Sequence, residues 1–145
     1  MMRLRQQEMQ KIILDTNVII SALISKSYPN LIISELAFKG KLELCLSNEV
    51  FFEYLNVINR EKFTKYPNFL FNANIVLNKL KEFSTFYTID NKVEILNDKD
   101  DNKFLELALE SKADYLITGN FLDFNIENFN NTKIVSPRQY WELNQ

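Results

Sequence analysis

The chain contains no histidine. That absence removes Ser-His-Asp and Cys-His triads, imidazole-ligated zinc, haem on a proximal histidine, and imidazole as a general base. One cysteine, Cys45, leaves no disulfide framework and no thiolate zinc site. It lies within an apolar run, where burial is expected rather than reactivity. Glycine occurs twice, at Gly40 and Gly119. Neither stands in a phosphate-cradling loop, which argues against a Walker A site or a dinucleotide fingerprint. No stretch reaches the length of a membrane span. Residues 1–8 carry Arg3 and Arg5 without the apolar segment of a signal peptide, so a cytoplasmic location is expected. The formal net charge of −2 does not suit a protein that coats nucleic acid by charge alone. Acid–base or metal chemistry in this chain must therefore run on carboxylates.

What is present is a single ordinary globular domain. The 145 residues are 46% apolar and 25% charged, enough to bury one core without a staple. Residues 1–10 read as a polar leader, with Met9 as an alternative start, and residues 11–143 as the domain.

Ile12-Ile13-Leu14 is a continuous apolar run that ends in Asp15, the pattern of a strand buried on both faces. Thr16-Asn17 reads as a helix cap, followed by Val18, Ile19, Ala22 and Leu23 at helical spacing. Tyr28-Pro29-Asn30 reads as a break. Leu31, Ile32, Leu36 and Ala37 predict a second helix closed by Gly40. Residues 42–46 read as a second strand. Ser47 or Asn48 caps a third helix, which carries Val50, Phe51, Tyr54, Leu55 and Ile58 inward. A basic stretch, 60–67, precedes a helix over 69–83; residues 85–89 are β-rich, and 93–96 extend that strand or connect it onward. Asp98-Lys99-Asp100-Asp101 leads directly into a helix with Phe104, Leu105, Ala108 and Leu109 buried. Strands follow at 113–118 and 133–135, then a terminal helix over 139–143 with Trp141 inward. Strands alternating with helices predict an α/β fold, a central parallel sheet with helices on both faces.

In such sheets, sites form beyond the carboxyl ends of the strands where the strand order reverses. Asp15 ends the first strand, Glu53 lies on the third helix, and Asp101 opens the helix before the 113–118 strand. If the first and fourth strands are neighbours, these acids can converge. Converging carboxylates without histidine or cysteine suit Mg²⁺ or Mn²⁺, which take oxygen ligands and act on phosphodiesters. Each acid also has a plainer reading. Asp15 caps a helix, Asp98 and its neighbours favour the helix dipole, Glu53 is a solvated helix residue, and Thr118 and Asn120 are turn residues. Arg60, Lys62 and Lys65 form a basic patch, most simply solvated surface.

Four segments, taken in order, resemble the PIN-domain family, and within it the toxin-type (VapC-like) proteins of bacteria and archaea. They are Ile12 to Val18, Ser47 to Glu53, Asp98 to Ala108, and Ala113 to Asn120. The resemblance implies a three-layer α/β/α fold and an acidic triad of Asp15, Glu53 and Asp101 that binds Mg²⁺ or Mn²⁺. It implies Asn17, Thr118 and Asn120 around those ligands, an RNA substrate, a cognate antitoxin, and pairing with a second copy, for which the apolar residues of 31–38 are a candidate face. The expected activity is metal-dependent endoribonucleolytic cleavage by the toxin of a toxin–antitoxin pair. The fourth segment departs from the family pattern by ending in Asn120 rather than an aspartate, with Asp123 three residues on. That departure keeps an alternative open: a weakened PIN module that binds RNA or a protein partner. A carboxylate-metal phosphatase is a further reading. It is disfavoured because position 17, where a second aspartate would stand, is Asn17.

Overall fold

The structure is a computed structural model that describes residues 9–119 and 126–144. The polar leader therefore falls largely outside the described residues, as do Asn120 and Asp123. Strands β1 (Lys11–Leu14), β2 (Glu43–Leu46), β3 (Ser84–Phe86), β4 (Tyr115–Ile117), β5 (Asn128–Phe129) and β6 (Thr132–Val135) form one sheet in the order β3-β2-β1-β4-β6-β5. Every pairing is parallel except that of β5 with β6. The chain starts in the middle, builds outward through β2 and β3, then returns to add β4 on the other side of β1. The boundary between β1 and β4 is thus the point where strand order reverses, as the sequence reading required. Ile12 and Ile13 are fully buried, consistent with a strand covered on both faces.

Helices α1 (Thr16–Ile24), α2 (Tyr28–Leu31), α3 (Asn48–Ile58), α4 (Glu61–Thr64), α5 (Phe69–Phe83), α6 (Asn102–Ser111) and α7 (Pro137–Leu143) flank the sheet. Helix α5 packs on β2 and β3, and α6 on β1 and β2. The architecture is the expected three-layer α/β/α. Ser47 caps α3, its hydroxyl accepting from the Val50 amide at 3.1 Å. Asp98 caps a 3₁₀ turn, Lys99–Asp101, and the chain passes from that turn straight into α6.

Several local expectations change. Tyr28-Pro29-Asn30 starts a helix instead of breaking one, because proline is tolerated in a first turn where its missing N–H has no intrahelical partner. Residues Ile32–Ala37 then run on as a π-helical segment, and Gly40 follows with a positive φ of 68°. Ile32, Ile33 and Ala37 are buried in the core, while Leu31, Leu36 and Phe38 are half-buried. Ile75, expected among the apolar members of α5, is exposed, while Phe69, Ala73, Leu77 and Leu80 are buried. In α7 the residue turned inward is Tyr140, with Trp141 half-buried beside it. Strand β3 is three residues long, and 93–96 serve as a connector.

That connector is tied to α6. The backbone amides of Asp90, Val93 and Leu96 donate to Glu110 Oε1, Glu106 Oε2 and Asn102 Oδ1 at 2.9, 3.0 and 3.0 Å. The three acceptors recur every fourth residue and so share one helix face. A segment without regular structure thereby satisfies backbone donors and delivers the chain to Asp98 in a fixed position.

Candidate active site

Asp15 follows β1 directly and occupies the N-cap position of α1. Its backbone N–H donates to the Ile117 carbonyl at 2.9 Å, which ties the end of β1 to the end of β4. Its side chain makes no capping bond. Instead, Oδ2 accepts the hydroxyl proton of Thr118 at 2.8 Å. Thr118 lies just past β4 and is itself held by a 2.9 Å bond from its amide to the Val135 carbonyl. Asp15 is 6% exposed and Thr118 is fully buried. The capping reading of Asp15 therefore gives way: a nearly buried carboxylate is aimed by a hydroxyl from the neighbouring strand.

Thr16 was expected to help cap α1. It is the first residue of the helix, and its hydroxyl donates to Glu53 Oε2 on α3. The other oxygen of Glu53 accepts from Lys103 Nζ at 2.9 Å, an ion pair only about one-fifth exposed on either side. Lys103 sits in the first turn of α6, two residues after Asp101. The next residue on α3, Tyr54, is buried and donates its hydroxyl proton to the Leu14 carbonyl, one residue before Asp15. Burial, then the charges of Asp15 and Glu53, hold the Tyr54 phenol well above its ordinary value, so it remains a donor. A short series of contacts thus joins Thr118, the Asp15-Thr16 pair, Glu53 and Lys103 across β4, β1, α3 and α6.

Of the residues singled out in the sequence, Asp15, Glu53 and Thr118 meet in this region, with Asp101 at the N-cap of α6 beside Lys103. Asn17 is exposed on α1. Asn120, just beyond the end of β4, lies outside the described residues. The donors in place are oxygens, the chemistry a hard divalent cation takes. Their arrangement is another matter. Among the described residues, no group of three or more Asp, Glu or Cys side chains stands together closely enough to hold a metal ion. The cation that Glu53 holds here is the ammonium of Lys103.

Sequence reasoning missed Thr16, Tyr54 and Lys103. Lys103 carries a legible signal: a lysine in the first turn of a helix opposes the macrodipole, and such a placement calls for an anionic partner elsewhere. A groove of about 630 Å³ opens beside it, between Glu49 of α3, the connector around Lys92, and Lys99, Asn102 and Glu106 of the α6 entry.

The fold defines a class: a mostly parallel α/β domain with the Asp15 carboxylate at the strand-order switch. The chain belongs to the PIN domain family, whose model matches residues 11–122. It is 36% identical to the uncharacterized protein MJ1680 of Methanocaldococcus jannaschii, over 91% of this chain and 90% of that one. It also shares its fold with a chain in the crystal structure of VapBC2 from Rickettsia felis bound to a DNA fragment from their promoter. The TM-score there is 0.54 with 18% identity, over 86% of this chain and 97% of that chain.

Proposed function

We propose that this protein is a divalent-cation-dependent endoribonuclease, the toxin of a toxin–antitoxin pair. The observation that carries the reading is the setting of Asp15: a nearly buried carboxylate at the end of β1, aimed by Thr118 from β4, with Glu53 bonded to the adjacent Thr16. Membership of the PIN domain family supports it, and so does the ordered set Asp15, Glu53, Asp101 in the sequence.

In this reading Asp15, Glu53 and Asp101 are the residues that would hold Mg²⁺ or Mn²⁺, which would supply positive charge for a phosphodiester and for an attacking water. The chain's own residues do the positioning. Thr118 fixes the rotation of the Asp15 carboxylate, and Thr16 fixes that of Glu53. Tyr54 holds the backbone at Leu14, so that Asp15 keeps its place. Asp101 stands where α6 begins, with helix amides ahead of it. In this structure Glu53 is paired with the Lys103 ammonium.

The test is cleavage of single-stranded RNA with Mn²⁺, compared with EDTA and with Asp15→Asn. Wild type with Mn²⁺ is expected to cleave, and cleavage is expected to fall at least about 100-fold in the variant, the scale seen when one essential electrostatic group is removed. Equal cleavage by wild type and variant would refute the site. The antitoxin partner and a cytoplasmic location belong to the same reading, supported by the resemblance to toxin-type PIN proteins and by the shared VapBC2 fold. Among the described residues no helix is long and apolar enough to cross a membrane.

Asn120 favours a second reading, a weakened module that binds RNA or a protein without cutting. Asn120→Asp separates the two. A gain of cleavage from a silent wild type supports the module, and activity already present in wild type supports the nuclease.

A further inference from the structure

We infer that the exposed rings of Phe52 and Phe86, with Lys81 beside them, form a platform on which the bases of a single-stranded RNA stack, on the sheet edge that carries Asp15. The inference rests on the RNA substrate of the reading above, adds residues that contact it, and requires no bound cation.

A series of rings leads outward from the site. Tyr54, whose hydroxyl bonds to the Leu14 carbonyl, is buried. Phe51 meets it edge-on and is half-buried. Phe86 meets Phe51 edge-on at 6.0 Å between centroids and is 38% exposed. Phe86 ends β3 and pairs with Leu46, the end of β2, so the series stops at the carboxyl edge of the sheet, where Asp15 also sits. Phe52 follows Phe51 on α3; it is 62% exposed and directly precedes Glu53. Positions 49, 52 and 53 share one helix face, so the Phe52 ring stands with the carboxylate that Thr16 and Lys103 hold.

The charge beside these rings favours a polyanion. Residues 59–81 carry Arg60, Lys62, Lys65, Lys79 and Lys81 against one acid, Glu61, in a chain whose net charge is −2. Each lysine of that stretch lies over an aromatic ring, and Lys81 lies 5.9 Å from the centroid of Phe51, the ring next to Phe86. A single strand uses this pairing without reading sequence: phosphates take the ammonium, and bases take the faces of the rings. Glu49 and Glu53 flank Phe52 on its own helix face, so the phosphates are turned from α3 toward α5, where Lys81 stands. The exposed side chains that would suit a protein helix, Leu70, Phe71 and Ile75, cluster elsewhere, in the first half of α5.

The experiment measures fluorescence anisotropy of a labelled oligoadenylate of about ten nucleotides, within the site size of single-strand grooves. It uses the intact chain in EDTA, so that binding is read without cleavage. Wild type is expected to bind, and Phe52→Ala to bind roughly tenfold more weakly, the scale of one base–aromatic stack. Phe52→Trp is expected to bind as wild type does and to lose emission as RNA stacks on it, whereas the wild type, whose one tryptophan is Trp141, keeps its emission. Phe71→Ala, on the exposed face of α5, is expected to bind normally. Lys81→Gln is expected to lower the slope of log affinity against log salt by about 0.7, one phosphate of a single strand. Phe52→Ala that binds as tightly as wild type, or Phe52→Trp emission that RNA leaves unchanged, overturns the platform. So does a loss in Phe71→Ala equal to that in Phe52→Ala. A wild type that binds no RNA overturns it too, and leaves the rings to a protein partner. Cleavage with Mn²⁺ decides the nuclease reading separately. A protein that cleaves while Phe52→Ala binds normally keeps the nuclease and loses the platform; one that binds through Phe52 without cleaving keeps the platform and loses the nuclease.

Discussion

Tyr54 shows how a single side chain can couple a site to the sheet that carries it. Its hydroxyl crosses from α3 to the Leu14 carbonyl, and its ring packs edge-on to Phe51 at a centroid distance of 6.5 Å. Tyr54→Phe keeps the ring and removes only the donor. The expected cost is about 1–2 kcal/mol, the range for a buried hydrogen bond lost with its acceptor left behind. Urea denaturation measures it, and an unchanged midpoint would show that the bond contributes nothing. Cys45 offers a second test at this scale. Burial pushes its thiol up to about 12, so the thiolate is nearly absent at neutral pH. Ellman's reagent at pH 8 is expected to find no reactive thiol in the native chain and one after denaturation. Rapid native labelling would contradict the buried placement of β2. Some of this scale was legible in the sequence. Cys45 in an apolar run and Asp15 at a strand end both carry local signals. The bonds from Thr16 and Lys103 to Glu53 do not, because they span 37 and 50 residues and depend on how α1, α3 and α6 meet.

Among the elements, the connector between β3 and α6 is held by side chains of α6. The Glu110 carboxyl lies below its ordinary value of 4.5, through the Asn91 side chain first and the Asp90 amide second. A depressed carboxyl stabilises the fold while it is ionised. That contribution is present above the ordinary value of 4.5 and is lost as pH falls through the lower folded-state value. Glu110→Gln is expected to flatten the acid limb of a stability–pH profile and to speed amide exchange at Asp90. An unchanged exchange rate at Asp90 would mean that the connector is held by other contacts. Elements with a clear period were legible from sequence alone: α5 spans Phe69–Phe83 as read, and of the two caps read for α3, Ser47 or Asn48, it is Ser47. Short elements were not. Strand β5 has two residues, too few for any alternation, and α7 has seven, so its inward residue could not be told from spacing. The capping box of Ser136 and Gln139 and the packing of Tyr140 on Tyr115 set that helix's rotation.

For the whole molecule, the strand order places Asp15. Adjacency of β1 and β4 puts Asp15 against Thr118, a pairing 103 residues apart in sequence. The alternation of strands and helices made the layered fold readable, and right-handed crossovers leave few ways to order such a sheet. What alternation could not give is the relative placement of side chains from three helices. There the structure shows an ammonium on Glu53 where a metal ion was expected to gather the acids. The proposed nuclease activity depends on Asp15 and on a divalent cation. The most direct measurement is anomalous scattering from a crystal of the protein soaked in Mn²⁺. A manganese peak within ligand distance of Asp15 is expected, about 2.0–2.6 Å for oxygen donors. A saturating soak that leaves no peak there would contradict the proposed activity.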